Sequence, residues 1–106
     1  MNITTIIELE NREVENLTGA KLVFTQEKVD PNIVELCVDC FKQEGSDECI
    51  DTEIAMQTVF EKLKAKGVIP EEVQDFSFEM PSCERLKTAE YNETYKPQKV
   101  VLTYST

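Results

Sequence analysis

Apolar residues along this chain follow two rhythms, one near 3.6 residues and one of two, and the changes between them mark the elements. Ile3, Ile7, Val14 and Leu17 recur at helical spacing with Ile6 and Leu9 beside them, which predicts a first helix over residues 3 to 18. Gly19 stands where a helix ends in a left-handed turn. Ala20, Leu22 and Phe24 point one way, and β-branched Val23 and Thr25 support a strand over 20 to 25.

Asp30 suits the cap of a second helix and Pro31 its first position, where no N–H is needed. Ile33, Leu36, Cys37, Cys40 and Phe41 then step i, i+3, i+4, i+7, i+8 toward Gly45. A strand through Val34, Leu36 and Val38 competes, but the Asp-Pro start and the glycine stop favour the helix. Ile50, Ile54, Met56, Val59, Phe60 and Leu63 predict a third helix over about 50 to 66, closed by Gly67. Lys62, Lys64 and Lys66 complement the negative end of its dipole.

Beyond Pro70 the period changes to two. Phe76, Phe78 and Met80 alternate with Asp75, Ser77 and Glu79 in a strand that Pro81 ends. Residues 84 to 91 read as a weak strand, Tyr91 to Pro97 as a turning segment, and Val100, Leu102 and Tyr104 as a final strand. The expected architecture is α+β, with about three helices packed on one face of a small, mostly antiparallel three- or four-stranded sheet. At 106 residues the chain is expected to form a single domain over 1–106.

Charge changes the picture more than composition does. Asp and Glu number 21 against 11 Lys and Arg, with no histidine, for a net charge of −10. Between Glu27 and Glu53, nine acids face only Lys28 and Lys42, and Glu71, Glu72, Asp75 and Glu79 form a second stretch without a base. Such a field attracts basic partners and repels nucleic acid and anionic membranes. Without histidine the chain lacks the side chain that titrates near neutrality and the commonest metal ligand.

Enzymatic chemistry finds no support in the pattern. Gly19, Gly45 and Gly67 all read as helix stops, which excludes the usual nucleotide motifs, and there is no nucleophile elbow and no H-E-x-x-H. A cysteine nucleophile would lack a histidine partner. The N-terminus has no basic region, and Glu8 and Glu10 interrupt its apolar residues, so no secretory signal is expected. No apolar run approaches the ~20 residues of a membrane span. The expected location is the cytoplasm, and Asn-x-Thr triplets at Asn2, Asn16 and Asn92 read as chance.

Cys37, Cys40, Cys49 and Cys83 invite a metal or redox reading. Cys37 and Cys40 fall in the middle of the expected second helix, on its apolar stripe, with no glycine to shape a knuckle. A redox C-x-x-C belongs at a helix N-terminus, and disulfides belong with secretion. Buried thiols acting as small hydrophobes are therefore expected, with no cofactor. A cysteine-ligated metal or redox module is the alternative.

Glu35 and Asp39 stand four apart on the polar face of that helix, and Glu44, Asp47, Glu48, Asp51 and Glu53 continue the charge through the loop into the next helix. A solvated face accounts for such a run. A calcium or magnesium loop does not, because the spaced oxygens of an EF-hand are missing. As a binding surface, these seven acids would occupy a basic site, including one that ordinarily holds nucleic-acid phosphates, as small acidic inhibitors of phage and mobile elements do. The expected function is a non-enzymatic acidic inhibitor or modulator of a protein with a basic surface, with no direct contact to nucleic acid or membrane. An acidic subunit or immunity-type partner with an apolar contact surface is a further alternative, and the pattern does not decide the oligomeric state.

Overall fold

The computed structural model describes residues 3–87 and 99–106. They form β1 (Thr4–Glu10), α1 (Asn11–Thr18), β2 (Ala20–Asp30), β3 (Ile33–Gln43), α2 (Thr52–Ala65), β4 (Phe76–Glu79), β5 (Glu84–Lys87) and β6 (Lys99–Ser105). Two antiparallel sheets result, one ordered β1-β6-β4 and the other β2-β3-β5. The α+β class stands, but among the described residues two helices and two three-stranded sheets replace the expected three helices on one sheet. The predicted turn at Tyr91 to Pro97, and the end of the predicted strand over 84 to 91, lie outside the described residues.

The N-terminal segment is a strand before it is a helix. Thr4 pairs with Ser105 and Glu10 with Lys99 along the whole of β1 and β6. That ladder turns Ile7 and Leu9 inward beside Leu102 and Val100, and leaves Ile6 64% exposed on the outer face. The β-branched run Thr4-Thr5-Ile6-Ile7 suits a pleated surface. Its partner lies almost a full chain length away, so nothing local reveals the pairing. Helix begins only at Asn11 and buries Val14 and Leu17. Gly19 then turns with φ of 70°, its N–H donating to the Glu15 carbonyl at 2.9 Å.

The expected second helix is instead β3, the central strand of the second sheet. Asp30 and Pro31 make a turn: the Asn32 N–H donates to Asp30 Oδ1 at 3.0 Å, and Asp30 pairs with Ile33. Asp followed by Pro suits the first two positions of a type I turn as well as a helix start. β3 itself is interrupted once. Val23 pairs with Cys40 and Phe24 with Val38, so Asp39 is an extra residue with no partner on β2, a β-bulge. The extra residue shifts the phase of the strand, placing Leu36, Val38 and Phe41 on one face and Cys37 and Cys40 on the other. A bulged strand thereby imitates the i, i+3, i+4 spacing of a helix.

α2 follows the sequence reading closely. Asp51 caps it, accepting from the Glu53 N–H at 3.0 Å, and Ala55, Met56, Val59, Phe60 and Leu63 are buried. These residues meet Leu9, Val100, Leu102 and Tyr104 of the first sheet, Leu22 and Phe41 of the second, and Val14 and Leu17 of α1 in one core. Phe60 stacks on Phe76 with ring centroids 4.4 Å apart. Lys64 does more than complement the dipole. Its Nζ donates to the Val73 carbonyl at 2.7 Å and sits 5.2 Å from the Phe60 ring centroid, holding the return segment against the helix. Among the described residues, no helix is long and apolar enough to cross a membrane.

Candidate partner-binding surface

The loop between β3 and α2 is built as a closed unit. Phe41 and Ile50 exchange two backbone hydrogen bonds, of 3.2 and 2.7 Å, so the chain returns antiparallel to the end of β3. Inside that closure the Ser46 N–H donates to the Gln43 carbonyl at 3.0 Å. Gly45, with φ of 81°, takes the third position of the turn and ends no helix. The Ser46 hydroxyl accepts from the Glu48 N–H at 3.2 Å. Each bond fixes a backbone group of a segment with few apolar anchors.

Two cysteines are placed to close the same loop covalently. Cys40 and Cys49 lie at disulfide distance with Cα atoms 5.6 Å apart. Cys37 and Cys83 do so as well, with Cα atoms 4.3 Å apart. The second pair extends a ladder: Leu36 pairs with Glu84, and the next residues in register are Cys37 and Cys83. The bulge at Asp39 puts both β3 cysteines on one face, where a regular strand would send residues three apart to opposite faces. The expectation of four free core thiols therefore fails. Only Cys40 is buried, and Cys49 and Cys83 are exposed.

The sulfurs do not gather at a single point. Clusters with ligand atoms within 4.8 Å of one another are Glu35, Cys37 and Cys83 in one place, and Asp39, Cys40 and Cys49 in another. A site of four thiolates needs convergence that this arrangement does not provide. Two cysteine pairs at disulfide distance, each beside a carboxylate, take its place.

The seven predicted acids divide by environment. Glu35 lies on β3, not on a helix, opposite Glu27 on one side and Arg85 on the other. Its Oε2 accepts from Arg85 Nε at 3.0 Å, which offsets the like charge and removes Glu35 from the free set. Asp51 caps α2 and Glu53 occupies its first turn, where negative charge complements the helix dipole. Asp39, Glu44, Asp47 and Glu48 are exposed, and no ion pair among the described residues takes them up. These four, with Asp51 and Glu53 at the margin, form an exposed acidic rim around a pinned loop. No family model, curated protein or solved structure matches the chain.

Sequence reasoning placed the charge correctly on the chain and wrongly on a helix. It also missed the device that orders the loop. The spacing of Cys40 and Cys49 around Gly45 was the available signal, since a short loop with a turn glycine brings its two ends together.

Proposed function

We propose that this is a non-enzymatic acidic domain that binds a protein with a basic surface through the loop rim of Asp39, Glu44, Asp47 and Glu48. The observation that carries this reading is a free acidic loop held in one shape. An ordered loop loses less conformational entropy when it binds, so more of its interaction energy appears as affinity. Asp51 and Glu53 extend the field, and Glu35 contributes little because Arg85 pairs with it.

A basic cleft that ordinarily accepts phosphates is the specific form of partner that such a rim suits. Charge steers the encounter and makes it sensitive to ionic strength. The compartment is tied to the same loop. An oxidising compartment keeps both bridges, whereas a reducing cytoplasm holds four thiols and leaves the loop closed by hydrogen bonds alone.

The test is capture from cell lysate at low salt on the immobilised, oxidised protein, with elution by a salt gradient and identification by mass spectrometry. The reading expects a basic protein, released at moderate salt, displaced by short duplex DNA if its site holds phosphates, and missing from a D47K/E48K column. A protein retained equally by both columns would remove the loop from the account.

A further inference from the structure

The second acidic stretch, Glu71 to Glu79, takes no part in the loop rim. It leads into and runs along β4, the end strand of the first sheet. Among the described residues β4 has a strand neighbour on one side only, where Phe76 pairs with Tyr104 and Glu79 with Val101. An edge of this kind presents unpaired backbone groups that can accept another strand.

Two open grooves lie against β4, the larger one also lined by the end of β6. One, of about 460 Å³, lies between the start of α2 and β4 and is lined by Glu53, Gln57, Phe76, Ser77 and Phe78. The other, of about 600 Å³, runs past Glu72, Asp75 and Phe76 toward Tyr104. Among the described residues neither lining contains a lysine or arginine. Phe76 and Phe78 are part-exposed, and Glu53, Glu72, Asp75 and Glu79 are all exposed. The edge therefore offers backbone pairing, an apolar floor and an acidic border together.

We propose that the outer edge of β4 is a docking site for an extended basic segment of a partner protein, which adds to the first sheet as a fourth strand. Alternation along a strand fixes the chemistry of that segment. Positions opposite Phe76 and Phe78 take apolar side chains, and positions opposite Ser77 and Glu79 take lysine or arginine. A second copy of this chain is the wrong occupant. Pairing β4 with itself would bring Asp75 and Glu79 of two chains, each with a net charge of −10, against one another. The site shares only Glu53 with the margin of the loop rim and does not depend on what binds the rim.

The experiment is an amide NMR titration of the oxidised, isotope-labelled protein with a capped Lys-Val-Lys-Val-Lys-Val-Lys peptide. Saturable shifts over Phe76–Glu79 are expected, with affinity at least fivefold weaker for the D75K/E79K variant. The same peptide N-methylated at alternate residues, which keeps the charge and removes strand pairing, should lose binding to a similar degree. Saturable shifts confined to residues 44–51, equal binding of the N-methylated peptide, or no saturable shift at all would each overturn the proposal. The N-methylated peptide leaves the protein unaltered, so the result stands even if the double variant fails to fold.

Discussion

Deleting the cysteine pairs one at a time should destabilise the protein unequally, in an order set by loop length. Cys37 and Cys83 are 46 residues apart, and Cys40 and Cys49 are 9 apart. Closing a loop removes entropy from the unfolded chain in proportion to the logarithm of its length. At 25 °C that relation gives ~4 kcal/mol for the longer bridge and ~2.6 kcal/mol for the shorter. The gap of ~1.4 kcal/mol is a tenfold difference in the unfolding equilibrium. The assay is guanidinium unfolding without reductant, comparing C37A/C83A, C40A/C49A and the parent chain by circular dichroism. Both variants should also unfold with larger denaturant slopes, because their unfolded chains are less constrained. Reductant should lower the parent by more than either variant. Four titrating thiols in the denatured, unreduced parent would refute the pairing itself. A larger loss for C40A/C49A than for C37A/C83A would refute the entropic ordering.

Three further substitutions test the local account. Gly19→Ala should cost about 1 kcal/mol, measured by thermal melt, since a Cβ has open space there but the φ of 70° is strained for alanine. Glu15→Ala should cost roughly 1.5–3 kcal/mol in the same assay, because its carboxylate accepts the Leu22 N–H at 2.9 Å and joins α1 to β2. Met56→Ala, at a side chain with no exposure in the middle of the core, should cost about 2–5 kcal/mol in denaturant unfolding.

What could be read from the sequence depended on whether its signal was local. α2 carries its own cap, its own stripe and its own stop, so the expected helix over 50 to 66 became Thr52–Ala65. β4 and β6 showed strict alternation and appear as strands. The first ten residues were illegible because β1 is specified by β6, at the other end of the chain. Ile3 and Ile7 happen to fit a helical stripe with Val14 and Leu17, which do belong to the true helix α1. β3 was illegible for a different reason. A single unpaired residue, Asp39, shifts the strand phase and copies a helical spacing, while Asp30 and Pro31 serve a turn as readily as a helix start. The cysteines followed from that error, since a helix would not have paired Cys37 with a residue on β3's neighbouring strand segment. The acidic run itself was legible as charge, and its division between Arg85, the cap of α2 and the free loop required the fold.

The measurement that bears most directly on the central claim is the salt dependence of affinity for the captured basic partner, taken for the parent chain and for D47K/E48K. Reversing two exposed acids replaces attractions with repulsions of about 0.2–1 kcal/mol each. Over two sites the change sums to about 0.8–4 kcal/mol, so the account predicts binding weaker by about fourfold or more, a shallower dependence on salt, and a melting temperature within about 2 °C of the parent. Equal affinity and equal salt slope for the two proteins, with both folded, would contradict it.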